Sequence, residues 1–144
     1  ERIKDLYKTS NGKYIAPQAI EMVMSGDQYI EQIAVIGDQR KFVSALIVPA
    51  YSLLEKYAEE KGLAVGSREE LVRNKEVLRL IETHIEENQK NLASYEKIKR
   101  FTLLSEPFTM GSELTDTLKL RRSVILKKYA DSIEKMYEEA SNLS

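Results

Sequence analysis

Residues 30–50 read IEQIAVIGDQRKFVSALIVPA, two apolar runs rich in β-branched residues on either side of a polar break. Val and Ile lose little by extending and pack well on a pleated surface, and "DQR" between the runs supplies turn chemistry. The stretch therefore predicts an antiparallel strand pair across residues 31–49. Pro49 closes the second strand, and the pattern changes period beyond it. In "YSLLEKYAEEKG" the apolar residues 51, 53, 54, 57 and 58 form a one-sided helical stripe ended by Gly62. "SREELV" carries a Ser67/Glu70 capping box, and Val77, Leu80, Ile81 and Ile85 recur at helical spacing between about 74 and 91.

Upstream of the pair, Pro17 suits the first turn of a helix over "PQAIEMVMS", with Gly26 at its end. Still earlier, residues 3–9 and 14–16 flank "SNGK", and Asn-Gly predicts a hairpin whose two central residues take positive φ. Alternation places Lys4, Leu6 and Lys8 on one face of its first strand. Downstream, "KRFTLLS" at 100–105 reads as a third long strand and "EPFTMGSELTDT" as a loop. Residues 120–140 read as one amphipathic helix with Ile125, Leu126, Tyr129, Ile133, Met136 and Tyr137 on one side. The order is that of an α+β domain: an N-terminal β-hairpin plus a small mixed sheet of about three strands covered by helices.

Composition narrows the function classes. A net charge of −1 argues against a dedicated nucleic-acid binder. With no cysteine and one histidine, thiolate and multi-histidine metal sites are excluded. No apolar run approaches the ~20 residues that span a bilayer. His84 sits at the edge of its helix's stripe, the place of a packed boundary histidine, and the eight tyrosines read as packing residues. The basic runs 97–100 and 119–128 lack interleaved aromatics and are followed by acids, which favours a solvated helix face over a nucleic-acid patch.

Lys119 stands apart. It follows Thr115, Asp116 and Thr117 in a segment too polar for core. An exposed ammonium contributes only about 0–1 kcal/mol in an ion pair. About 4 Å from a phosphate or carboxylate in a partly dry cleft, the attraction rises to roughly 4 kcal/mol. The residues alone leave both readings open, a reactive-site cation or one more solvated charge.

Two longer segments bear on the choice. "ERIKDLYKTSNGKYIAPQAIE" resembles the hinge-and-hairpin motif that opens the C-terminal domain of adenylate-forming enzymes. "KRFTLLSEPFTMGSELTDTLKLRR" resembles the terminal lysine motif of their long-chain acyl-CoA synthetase branch. The resemblance covers essentially all 144 residues and implies a single C-terminal lid domain, residues 1–144. A large N-terminal domain binding ATP, Mg2+ and the acyl chain is expected before it. In that family a fatty acid is joined to AMP with release of pyrophosphate, and the thiol of CoA then displaces AMP. The lid turns between the two half-reactions.

By position, the resemblance implies that Lys119 reaches the acyl carboxylate and α-phosphate during adenylation. It implies that Lys4 is the hinge, Arg2 and Tyr14 lie near the nucleotide, and Lys8 serves thioester formation. Asn11 and Gly12 would approach the pantetheine channel of CoA. Lys4 and Lys8 are about 13 Å apart along a strand, too far to grip one phosphate. The enzyme would be cytoplasmic with peripheral membrane association, and the fragment alone inactive, with no cofactor bound. Many relatives carry Pro before the motif's Thr and Gly directly before its Lys; here Leu114 and Leu118 stand there. The helical stretch 51–95 has no assigned chemical role. Two alternatives remain: the lid of another adenylate-forming enzyme with a short, aryl or amino acid substrate, and a free-standing module binding acidic partners through 119–128.

Overall fold

The computed structural model describes residues 6–143, and side chains through Glu138. Arg2 and Lys4, and with them the expected hinge, lie outside the described residues. The predicted strand pair is present as β3 (Ile30–Ile36) and β4 (Val43–Pro49), antiparallel. Before it come the short strands β1 (Tyr7–Lys8) and β2 (Tyr14–Ile15) and the helix α1 (Pro17–Ser25). After it come α2 (Tyr51–Glu60), α3 (Arg68–Leu71), α4 (Lys75–Asn88) and a 3-10 turn at Ser94–Glu96. Strand β5 (Ile98–Leu103) and helices α5 (Arg122–Lys128) and α6 (Ala130–Leu143) complete the chain.

The sheet order is β3-β4-β5, and β5 runs parallel to β4. Every residue of β4 is buried, so both faces of the central strand are covered. Helix α1 packs on β3 and meets α4, and α6 packs on β5. Ile20, Met24, Leu46, Ile47, Leu54 and Ile81 belong to the shared core. Asn74 caps α4 by accepting from the N–H groups of Glu76 and Val77. Between α1 and α4, the Asp27 carboxylate accepts from Asn88 at 2.9 Å and meets His84 Nδ1 at 2.8 Å. His84 is thus a packed, partnered residue, with the Tyr29 ring edge-on at 4.8 Å.

Three expectations are corrected. The first hairpin is not closed by a two-residue turn with two positive φ angles. Gly12 alone takes positive φ (83°), and its N–H bonds the Thr9 carbonyl at 2.9 Å while the Thr9 N–H bonds the Lys13 carbonyl. This is the three-residue pattern, in which one left-handed residue follows the turn and Asn11 is spared the cost. The second correction concerns Glu70. Ser67 accepts from the Glu70 N–H as a capping box requires, but the Glu70 carboxylate reaches back to Gly66 N–H, one residue beyond the cap. The third concerns residues 120–140, which are two helices broken at Tyr129 (φ −108°, ψ 23°). The break aims the Tyr129 hydroxyl at Glu113, and Leu126 is 47% exposed rather than on the buried face.

Candidate functional site

The loop between β5 and α5 is tightly organised. Leu114 bridges Leu120 in antiparallel fashion, and the five residues between them close a hairpin. Thr115 N–H bonds the Lys119 carbonyl at 2.8 Å, Leu118 N–H bonds the Thr115 carbonyl at 2.9 Å, and Lys119 N–H bonds Thr115 Oγ1 at 3.0 Å. Leu118 takes positive φ (63°) to close it. That is the conformation glycine adopts freely and a leucine only at a cost in strain. The Lys119 side chain is exposed, and among the described residues no carboxylate lies within 4 Å of its ammonium. The structure therefore holds Lys119 on an ordered backbone and leaves its charge uncommitted.

Its cationic neighbours are committed elsewhere. Arg121 donates to the Ser112 carbonyl at 3.1 Å, and Lys128 pairs with Glu113 at 2.6 Å. Arg122 forks onto Glu21 with two bonds of 2.8 Å and also donates to the Tyr7 hydroxyl at 3.3 Å. Burial opposes charge on Arg122, but the Glu21 carboxylate outweighs it and holds the guanidinium protonated. Arg121, Arg122 and Lys128 of the basic 119–128 segment thus serve the domain's own cohesion.

Arg122 also connects the two predicted lysine sites, since Tyr7 precedes Lys8 on β1. Lys8 is exposed, with its ammonium 5.6 Å from the centroid of the Tyr14 ring, itself 59% exposed. The ring and the ammonium are thus both open to solvent on the same strand pair. The Asn11 amide donates to the Lys41 carbonyl at 3.3 Å, so that side chain is spent on fixing the hairpin, and Gly12 lies at its exposed tip with nothing within 4 Å of an added Cβ. Lys8, Asn11, Gly12 and Tyr14 thus share one hairpin, whereas Lys119 occupies another at the far end of the chain. Among the described residues no group of three or more His, Asp or Glu is placed to hold a metal ion. No described helix is long and apolar enough to cross a membrane.

Glu113 is the residue that sequence reading passes over. It is fully buried, yet burial, which favours the neutral acid, is outweighed by bonds from Lys128, the Thr109 N–H and Tyr129, and its pKa falls to about 2. Its neighbours in sequence are ordinary loop residues, and the Lys128–Tyr129 pair that receives it lies fifteen residues away. A Glu flanked by Ser112 and Leu114 carries no local signal of this.

The family model of the AMP-binding enzyme C-terminal domain matches residues 4–141, and the chain belongs to that family. Long chain acyl-CoA synthetase 8 of Arabidopsis thaliana is 32% identical over 141 residues, which is 95% of this chain and 20% of that protein. Long-chain-fatty-acid–CoA ligase 5 of Mus musculus is 34% identical over 142 residues, 96% of this chain and 21% of that protein. The chain spans about a fifth of the length of the curated relatives it matches. Among solved structures, the adenylation domain of a carboxylate reductase from Mycobacterium chelonae aligns with a TM-score of 0.76 at 28% identity, covering 96% of this chain and 20% of that one. A Brucella canis acyl-CoA synthetase shares the fold at a TM-score of 0.55 and 19% identity, covering 92% of this chain and 20% of that one.

Proposed function

We propose that the chain is the C-terminal lid of an ATP-dependent long-chain fatty-acid–CoA ligase, with Lys119 as its adenylation residue. The observation that carries this reading is the Thr115–Lys119 hairpin, an ordered backbone bearing an ammonium that has no carboxylate partner among the described residues. The similarity to long-chain acyl-CoA ligases supports a long-chain fatty acid as the substrate.

Adenylation brings a carboxylate oxygen against the α-phosphorus of ATP, two anions that repel. An ammonium delivered between them offsets that repulsion and gains strength as charge builds on the phosphoryl oxygens in the transition state. Lys119 would bond those oxygens, and the hairpin would limit the reorganisation needed. Mg2+, which supplies Lewis-acid neutralisation of the phosphates, belongs in this reading to the preceding ATP-binding domain. Lys8 and Tyr14 on the other hairpin would meet nucleotide or CoA phosphates in the second half-reaction, once rotation about Lys4 has exchanged the faces. Alone, the domain is catalytically silent.

In the full-length enzyme, Lys119→Ala is expected to lower acyl-adenylate formation by about 10³-fold, read as pyrophosphate release. Thioester formation from supplied acyl-adenylate and CoA should persist within a few-fold. Equal loss in both half-reactions would refute the division of labour.

The alignment with a carboxylate reductase adenylation domain favours a second reading, in which the chain is the lid of such an adenylation domain and not of an acyl-CoA ligase. Full-length protein that forms acyl-adenylate but releases no acyl-CoA with CoA present would select it.

A further inference from the structure

Glu113 lies immediately before the bridge from which the Lys119 hairpin springs, and it is 0% exposed. Its Oε1 accepts from the Thr109 N–H at 3.0 Å and from the Thr109 hydroxyl at 3.4 Å. Its Oε2 accepts from Lys128 Nζ at 2.6 Å and from the Tyr129 hydroxyl at 2.9 Å. Its main-chain carbonyl accepts the Arg121 N–H at 2.7 Å, closing the far side of the hairpin. One residue thereby binds the start of the loop, its end, and the junction between α5 and α6.

A connection between a strand and a helix needs none of this. Desolvating a carboxylate is expensive, and an apolar residue of similar volume would serve packing equally well or better. What the ionised group adds is direction. Its partners sit at fixed angles, so the hairpin base has one orientation relative to the helices rather than several of similar energy.

We infer that Glu113 is a positioning residue for adenylation, its carboxylate locking the base of the Thr115–Lys119 hairpin to the α5–α6 junction so that the Lys119 ammonium is offered in a single geometry. The inference rests on the role proposed for Lys119 and adds a residue that touches neither substrate nor nucleotide. Glu113→Gln keeps the volume and one acceptor oxygen. It removes the charge that holds Lys128 and turns an amide N–H2 toward cationic or hydroxyl partners. The hairpin base then loosens, and a displacement of about 1 Å in a reacting group can cost on the order of 10²-fold in rate.

The test is made in the full-length enzyme with three variants, E113Q, Tyr129→Phe and Lys119→Ala, each assayed for both half-reactions. E113Q is expected to lower kcat of adenylation by about 10- to 100-fold, with KM for ATP and palmitate within about twofold of wild type. Thioester formation from supplied palmitoyl-adenylate should stay within about twofold. Tyr129→Phe, which removes one bond and leaves the ion pair, should slow adenylation selectively by about three- to fivefold. If E113Q fails to fold, Tyr129→Phe decides alone, and absence of selective slowing overturns the inference. A purely structural role predicts equal loss of both half-reactions in E113Q, which also overturns it, as does an E113Q adenylation rate within twofold of wild type. If Lys119→Ala leaves adenylation intact, the Lys119 reading has failed. If Lys119→Ala abolishes adenylation while E113Q does not impair it, only the role of Glu113 has failed.

Discussion

The Thr9–Lys13 and Thr115–Lys119 segments fold by the same hydrogen-bond scheme. In each, a Thr N–H bonds a Lys carbonyl four residues on, the fourth residue's N–H returns to the Thr carbonyl, and the Thr hydroxyl accepts the Lys N–H. They differ in the left-handed position, Gly12 in one and Leu118 in the other. They differ also in what secures them. The first hairpin leans on the β3–β4 turn through Ser10 N–H to the Arg40 carbonyl, Gln39 N–H to the Lys8 carbonyl, and an exposed Asp38 carboxylate at the Lys8 N–H. The second stands on a buried ion. Identical backbone chemistry thus yields one loop docked against its own sheet and another mounted on a charge and aimed at solvent.

Acid should separate the two most strongly. A carboxylate whose folded pKa lies near 2 against an ordinary 4.5 contributes its full stabilisation above about pH 4.5, and this is lost as pH falls toward 2. The contribution is on the order of 3 kcal/mol. In a pH titration by NMR, the Thr109 and Arg121 amides should shift and broaden below pH 4, while those of Thr9 and Gly12 hold. Joint loss of both sets would show that the ion is not a local anchor.

The glycine contrast predicts a smaller effect. Gly12→Ala meets no neighbour within 4 Å, so its cost is backbone strain alone, about 1 kcal/mol, visible as a lower Tm. Leu118→Gly is the reverse experiment and the mildest. Relief of left-handed strain exceeds the added unfolded-state entropy by about 0.5 kcal/mol, raising Tm by roughly 1–2 °C. A fall in Tm on Leu118→Gly would mean that the leucine side chain supplies contacts that outweigh its backbone cost.

Much of this was legible beforehand. The β3–β4 pair, α1 behind Pro17 and the stripe of α4 follow from local period and punctuation. Leu118 was visible as a departure from the resembled motif, and it does adopt the positive φ that glycine takes freely. What escaped depends on distant partners. The break at Tyr129 leaves the 3.6-residue period almost undisturbed, so the pattern reads straight through it. The direction of β5 beside β4 is decided by where intervening helices deliver the chain. Glu113 becomes a buried anion only because Lys128 and Tyr129 arrive across the loop, and an acid in a polar run looks like any other solvated charge.

The central strand has a further consequence, for synthesis. Strand β4 is apolar at nearly every position, and its partner β5 begins about fifty residues later. At roughly 5–20 residues per second, the ribosome takes some seconds to complete the missing neighbour. For that interval one hydrogen-bonding edge of the most water-averse segment is open, a template for pairing with other nascent chains. Truncated products ending between α4 and β5 should therefore be the forms that aggregate and engage chaperones.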